Sequence, residues 1–72
     1  MSNIKNNIRL LRKEGKLSQE ELALRCHVSR QTINAIENNK YDPTLSLAFR
    51  LAWALDTTVD QLFSPDDKEV FL

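Results

Sequence analysis

The chain has few residues that interrupt or crosslink a backbone: one glycine, two prolines and one cysteine among 72 residues. So little glycine and proline excludes a collagen-like or low-complexity chain and leaves little length for long loops. A single cysteine, Cys26, excludes an intrachain disulfide, so the stability has to come from a hydrophobic core. With 42% hydrophobic residues and this length, the sequence predicts a single domain with one such core.

Long apolar runs are missing as well. No stretch is long enough to span a membrane, and the opening MSNIKNNIRLLRKEG lacks the apolar segment of a signal peptide. We therefore expect a cytoplasmic protein with no membrane partner.

Groups for catalysis and metal binding are also scarce. The one histidine, His27, stands next to Cys26, and such a pair does not make a metal site. There is no glycine-rich phosphate loop, no arrangement of paired acids and no nucleophile with a plausible base. We expect no enzyme activity, no cofactor and no metal, with Cys26 in the core and His27 in a turn.

Net charge is absent overall but unevenly distributed. Residues 1–41 hold eight basic and four acidic side chains, which gives +4, and residues 42–72 hold two basic and six acidic ones, which gives −4. Such asymmetry favours one end that faces a polyanion and another end that faces a different partner.

Start signals predict two helices joined by a sharp turn. Ser18 with Glu21 has the pattern of a capping box, and Ser29 is a suitable cap for the next helix. Only residues 27–29, HVS, separate the two helices, which is helix-turn-helix geometry. A first helix over about residues 5–14 precedes them, with one apolar stripe made by Ile4, Ile8 and Leu11.

Two further helices follow the loop NNKYDP. Thr44 caps a helix over about residues 45–55, and Thr58 caps a short fifth helix. The core stripe expected for the fourth helix consists of Leu45, Ala48, Leu51, Ala52 and Leu55. The predicted fold class is all-α, a compact five-helix bundle over residues 1–64. Residues 65–72 form an acidic, then apolar tail, which is either disordered, associated with the dimer or part of a short terminal β-ribbon.

The stretch SQEELALRCHVSRQTINAIENNK, with PTLSLA and ALDTTVDQLF after it, resembles the Cro/cI-type or XRE-type helix-turn-helix regulators. Apolar, small, capping and loop positions agree in register over about residues 3–63, including small Ala23 where the helices cross. Within that family the chain is most similar to the small cytolysin-repressor-type regulators. The resemblance implies a lambda-repressor-like fold, double-stranded DNA as partner, a homodimer and no small-molecule ligand. His27 and Asn39 stand where the family usually has glycine, so we expect left-handed backbone at both.

The resemblance also implies which residues contact DNA. It makes the helix over 29–37 the recognition helix, which enters the major groove by its N-terminal end. Arginine can bond guanine and glutamine adenine, and base reading is expected of Arg30, Gln31, Thr32 and Asn34. Phosphate contacts are expected of Ser18, Gln19, Ser29, Asn38, Lys40, Tyr41 and Arg12. Arg12 and Glu37 match a pair that bridges the first and third helices in the family.

The fourth helix carries more apolar side chains than a monomer surface requires. A dimer interface is expected at Leu47, Phe49, Trp53 and Phe63. The alternative is that the tail VFL and Ile4 together fold over these residues and cover them. The resulting hypothesis is a sequence-specific transcriptional regulator, a repressor that binds a pseudo-palindromic operator as a homodimer. The rival is an antitoxin-like or other interaction module whose main partner is a protein.

Overall fold

The computed structural model describes residues 4–40 and 42–65 as five helices and a two-stranded ribbon. The elements in chain order are β1 (Ile4–Asn6), α1 (Ile8–Glu14), α2 (Gln19–Cys26), α3 (Arg30–Glu37), α4 (Leu45–Ala54), α5 (Val59–Leu62) and β2 (Phe63–Pro65). The strands are antiparallel, with Ile4 opposite Pro65 and Asn6 opposite Phe63. The predicted helical bundle with a short ribbon is confirmed. Tyr41 and most of the predicted tail, residues 66–72, lie outside the described residues.

Side-chain caps set the start of four helices. The hydroxyls of Ser18, Ser29, Thr44 and Thr58 each accept a hydrogen bond from the backbone N–H three residues later. At Ser18 the Glu21 carboxylate also accepts from the Ser18 backbone N–H at 3.0 Å, which completes the capping box. The predicted caps are therefore confirmed, and each one satisfies an N–H that the helix itself leaves unpaired.

The first helix starts later than predicted. It begins at Ile8 rather than at residue 5, because the three residues Ile4–Asn6 pair with β2. The Asn6 side chain accepts a hydrogen bond from the Ile8 backbone N–H at 3.1 Å. Ile4 therefore belongs to β1 of the ribbon. The apolar stripe predicted for the first helix is divided, with Ile4 in β1 and Ile8 and Leu11 in α1.

Among the described residues, four other than glycine have left-handed backbone. His27 ends α2 with φ 59°, and Asn39 follows α3 with φ 57°, as predicted for both. Lys16 and Asp56 share this conformation, with φ 58° and 56°, and were not predicted. Gly15, directly after α1, has φ −82°, so Lys16 supplies the left-handed residue of that turn.

The core lies where α2, α3 and α4 meet. Leu22, Cys26, Ile33 and Ile36 are buried there, together with Leu51 of α4. Burial raises the pKa of the Cys26 thiol, and the Arg50 charge only partly offsets this. Cys26 is therefore a core residue, as expected, rather than a reactive thiolate.

Two predicted positions on α4 are exchanged. Leu45, expected in the core, is 70% exposed, whereas Leu47, expected at a dimer interface, is 5% exposed and packs in the core. At 100° per residue, the face that buries Leu47 and Leu51 turns residues 45, 49 and 53 outward. The assignment of Leu47 to an exposed interface is therefore wrong, since its side chain is used inside the protomer.

None of the described helices is long and apolar enough to cross a membrane. Within residues 4–40 and 42–65, no three His, Cys, Asp or Glu side chains are grouped so that they could hold a metal ion.

Candidate nucleic-acid interface

The N-terminal tip of α3 projects from the fold. Ile33 and Ile36 anchor one side of the helix in the core, at 0% and 1% exposure, which turns Arg30, Gln31 and Asn34 outward. The side chains of Arg30 and Gln31 make no hydrogen bond to any other residue that the structure describes. The tip is therefore held in place by the rest of its helix while its two longest side chains are free for a partner.

Ser29 and Thr32 are occupied by the cap of α3. The Ser29 hydroxyl accepts from the Thr32 backbone N–H at 3.2 Å, and the two hydroxyls lie 3.0 Å apart in a further hydrogen bond. Both side chains reach the edge of the tip, and Thr32 is half-buried. They stabilise the first turn, which orients Arg30 and Gln31.

The turn between α2 and α3 brings the start of α2 next to the middle of α3. His27, with left-handed backbone, ends α2, and the Val28 backbone N–H donates a hydrogen bond to the Ala23 carbonyl at 3.0 Å. Ala23 is 3% exposed, so a larger side chain would separate the helices. Gln19 Nε2 then lies 3.2 Å from Asn34 Oδ1, which joins the predicted phosphate-binding end of α2 to α3, the predicted recognition helix.

A buried carboxylate ties α3 to α1 and α2. The Glu37 side chain is fully buried, and its Oε2 accepts from Arg12 Nε at 2.7 Å. Its Oε1 accepts from Arg12 Nη2 at 3.2 Å and from Gln19 Nε2 at 3.1 Å. Burial by itself raises the pKa of Glu37, but hydrogen bonds from Arg12 and Gln19 outweigh it and hold the pKa below the ordinary value. The predicted Arg12–Glu37 bridge is confirmed.

Arg12 is used inside the fold. Its Nη1 donates to the Leu17 carbonyl at 2.9 Å in addition to the bonds with Glu37, and its side chain is 11% exposed. A phosphate contact through Arg12 stays a prediction, and the geometry leaves little of its guanidinium for one.

Arg9 is a functional candidate that the sequence reasoning missed. It is half-exposed, and it donates from Nε to Glu37 Oε1 at 3.3 Å and from Nη2 to Asn38 Oδ1 at 2.8 Å. Its spacing to Arg12 was the available signal, because residues three apart share a helix face. Arg9 places a positive charge beside the C-terminal end of α3.

The end of α3 is held by the ribbon. Asn6 Nδ2 donates to the Ile36 carbonyl at 2.9 Å and to Asn39 Oδ1 at 3.1 Å, another contact that the sequence did not reveal. Lys40 follows with an exposed side chain, and its backbone N–H donates to the Ala35 carbonyl at 2.9 Å. Lys40 therefore has a fixed backbone next to α3 and a charge open to solvent.

A second surface, which we call the α4 ridge, consists of Leu45, Phe49 and Trp53. They are 70%, 42% and 71% exposed, and the rings of Phe49 and Trp53 pack with centroids 5.8 Å apart. An apolar groove of about 480 Å³ borders the ridge, with half-buried Phe63 in its lining. Three of the four predicted interface residues, Phe49, Trp53 and Phe63, thus lie close together. Leu45 is exposed on this surface, whereas Leu47, the fourth predicted residue, is buried.

Comparison with known proteins agrees with this geometry. The family model described as "Helix-turn-helix" matches residues 8–62. An uncharacterized HTH-type transcriptional regulator of Methanocaldococcus jannaschii is 44% identical over 66 residues, which are 92% of this chain and 100% of the relative. Another such regulator, from Methanothermobacter thermautotrophicus, is 49% identical over 61 residues, covering 83% and 88% of the two chains.

Two solved structures are similar along most of their length. The crystal structure of a hypothetical transcription factor from Neisseria superposes with a TM-score of 0.74 at 34% identity, over 90% of this chain and 75% of the other. A putative DNA-binding protein from Bacteroides fragilis superposes with a TM-score of 0.76 at 26% identity, over 85% and 98%.

Proposed function

The chain belongs to the helix-turn-helix family of DNA-binding transcriptional regulators, and from this premise we propose that it is a repressor that binds a pseudo-palindromic operator as a homodimer. The observation that carries the proposal is the tip of α3, where the side chains of Arg30 and Gln31 project from a capped helix end with no hydrogen-bond partner among the described residues. Bound across a promoter, such a dimer excludes RNA polymerase from the DNA.

The residue types at the tip suit base edges in the major groove. Arginine bonds guanine O6 and N7, glutamine bonds adenine N6 and N7, and each such pair discriminates by about 1–3 kcal/mol. A cation in the first turn of a helix opposes the helix dipole at a cost of about 0.3–1 kcal/mol. A DNA partner therefore gives Arg30 a role that outweighs its local cost.

Phosphate contacts position such a helix without reading sequence. The free backbone N–H groups at the start of α2, next to Ser18 and Gln19, can bind a phosphate. Lys40 and the half-exposed Arg9 add positive charge at the other end of α3. Because each neutralised phosphate releases counterions, we expect binding to weaken steeply as salt is raised.

A second copy of the chain is the occupant that we propose for the α4 ridge. Trp53 and Leu45 are each at least 70% exposed, and large exposed apolar side chains mark interaction surfaces. None of the ridge residues belongs to α2 or α3, so a dimer built on the ridge leaves both recognition helices available. In a dimer suited to one face of DNA these helices lie about 34–36 Å apart, one turn of the duplex.

Fluorescence anisotropy tests the DNA-binding part of the proposal. The labelled duplex comes from directly upstream of the protein's own gene, and a scrambled duplex of equal composition runs beside it at several salt concentrations. We expect tighter binding to the upstream duplex and loss of that preference when Arg30→Ala and Gln31→Ala are combined. The control Arg25→Ala removes one charge from α2 and should weaken binding to both duplexes alike. Specific binding that survives the combined variant would move base reading away from the tip.

Sedimentation equilibrium tests the dimer. We expect a dimer at micromolar concentration and a monomer for Trp53→Glu. Leu24→Glu is the matched control, since Leu24 is 73% exposed on α2 and lies outside the ridge. A monomeric wild-type protein, together with a stable complex with a different protein, would instead favour the interaction module whose main partner is a protein.

A further inference from the structure

Gln19, Asn34 and Asn38 form one hydrogen-bond network across the proposed DNA surface. We propose that Asn34 is the specificity-determining contact of this network and offers DNA only N–H donors, while Gln19 and Asn38 are positioning residues. The inference rests on the proposed function, in which α3 enters the major groove.

The Glu37 carboxylate fixes one end of the network, because an ionised carboxylate can only accept. Gln19 must therefore turn Nε2 toward Glu37 Oε1, at 3.1 Å. The second hydrogen on Nε2 reaches Asn34, at 3.2 Å. If Asn34 turned its nitrogen to this place, two donors would face each other, so the inner atom of Asn34 is Oδ1.

Arg9 fixes the other end, because a guanidinium can only donate. Asn38 must turn Oδ1 toward Arg9 Nη2, at 2.8 Å. Its Nδ2 then faces Asn34 and donates to the main-chain carbonyl at 2.8 Å and to Oδ1 at 3.1 Å. Two separate lines of donors and acceptors thus lead to the same orientation of Asn34.

Both lone pairs of Asn34 Oδ1 are occupied, by Gln19 and Asn38. Nothing in the described part of the chain accepts from Asn34 Nδ2, and the residue is exposed. Gln19 and Asn38 are in the opposite situation, because both amide hydrogens of each are used inside the protein. Neither can donate to a phosphate through its side chain, whereas Asn34 has two free hydrogens.

This state of Asn34 selects the class of group that it can bind. The usual asparagine–adenine pair needs Oδ1 to accept from adenine N6 while Nδ2 donates to N7. With Oδ1 occupied, Asn34 is suited to groups that only accept: the N7 and O6 edge of guanine or a phosphate oxygen. Purine N7 is common to adenine and guanine, so Asn34 gives no preference for adenine.

Water exchange of side-chain amides in the ¹⁵N-labelled free protein tests the orientation without DNA. We expect the Asn34 amide to exchange with water faster than the amides of Gln19 and Asn38, with signals assigned from Asn34→Ala, Gln19→Met and Asn38→Ala. An Asn34 amide as protected as that of Gln19 would overturn the orientation.

Binding to a duplex selected from a randomised library, with every base pair then exchanged in turn, tests the consequence. We expect Asn34→Ala to weaken binding about 10-fold and Asn34→Asp to weaken it further, because an acceptor then faces an acceptor. A preference lost in Asn34→Ala should be for guanine. Uniform loss with base preferences unchanged would make Asn34 a phosphate contact and would overturn its role as the specificity-determining residue. The proposal would be overturned if Asn34→Ala removed an adenine-over-guanine preference of about 5- to 150-fold. It would also be overturned if Asn34→Ala left the affinity for the duplex unchanged. If no duplex is selected, the proposed function fails, even where the exchange data uphold the orientation.

Gln19→Met tests positioning, because it removes the donor to Asn34 but keeps a side chain of similar length. Freed from Gln19, Asn34 Oδ1 should gain several-fold in preference for adenine over guanine at its base pair. Gln61→Met, the same change at an exposed position on α5, should leave base preferences unchanged. If Gln19→Met lowers binding to all duplexes alike, its role is structural and the positioning assignment is wrong.

Discussion

Replacement of Glu37 by glutamine should destabilise the fold more than most single substitutions. The change leaves the Arg12 guanidinium, whose side chain is 11% exposed, without its counter-charge. Removing one partner of a buried ion pair costs about 3–5 kcal/mol. For a 72-residue domain, the whole free energy of unfolding is about 4–11 kcal/mol, at roughly 0.05–0.15 kcal/mol per residue. Glu37→Gln should therefore remove a large part of the stability and lower the Tm by about 12–40 °C.

Urea unfolding followed by far-UV circular dichroism measures this loss, because the described fold is mainly helical. Glu14→Gln is the matched control, since it makes the same acid-to-amide change at an exposed position at the end of α1. We expect the control to lie within about 0.5 kcal/mol of the wild type. Arg12→Met combined with Glu37→Leu removes both charges, so it should recover stability relative to Glu37→Gln.

The pH dependence provides a second measure of the same interaction. The pKa of Glu37 is lower in the folded state than its ordinary value, although burial alone would raise it, because the Arg12 and Gln19 hydrogen bonds prevail. The ionised form therefore contributes stability above about pH 4.3, the usual value for glutamate, and this is lost as the pH falls through the lower folded-state pKa. In a plot of unfolding free energy against pH, Glu37→Gln should reduce the loss of stability at acid pH, and Glu14→Gln should not.

Two results would contradict the stabilising role assigned to the Glu37 carboxylate. The first is a loss below about 1 kcal/mol for Glu37→Gln, a loss small enough for a surface ion pair. The second is an equal loss of unfolding free energy at acid pH in the wild type and in Glu37→Gln, which would mean that other carboxylates account for the pH dependence.

Three further substitutions test the local structure by thermal or urea unfolding. His27→Gly should stabilise the protein by about 0.5–1 kcal/mol, because φ 59° strains a residue with a Cβ atom; a loss would mean that the His27 side chain makes a favourable contact. Ala23→Leu should cost about 1–3 kcal/mol through overpacking at a position that is 3% exposed, and a neutral result would mean that α2 and α3 can separate freely. Leu47→Ala should cost about 2–5 kcal/mol, whereas Leu24→Ala, at a site 73% exposed, should stay near zero; similar losses at both would contradict the assigned burial.

Sequence reasoning succeeded where the signal is local. Hydroxyl caps such as Ser18 and Thr44 act on N–H groups three residues away, so the pattern that predicts them is contained in a few positions. Left-handed backbone at His27 was predicted from the family resemblance, because the family usually has glycine at that position. The Arg12–Glu37 pair is a longer-range contact, and it came from the family resemblance rather than from spacing.

It failed where distant segments meet. The start of α1 moved to Ile8 because residues 4–6 found pairing partners in β2, more than fifty residues away. Leu45 and Leu47 were exchanged because an apolar-rich helix has more than one plausible inner face. Packing against α2 decides between those faces, and that choice is not recorded in the periodicity of α4.

Propensities and hydrogen bonds within a few residues specify most of the helices, their caps and the turn that sets α2 against α3, so these features are readable from the sequence. Which side chains remain available to a partner depends instead on contacts between distant segments. Asn34, Asn38 and Gln19 are all polar, and all were plausible DNA contacts in the sequence. Glu37 and Arg9, on two different helices, fix where each amide points, because one can only accept and the other only donate. We infer that, of these three amides, only Asn34 keeps N–H donors free for a partner.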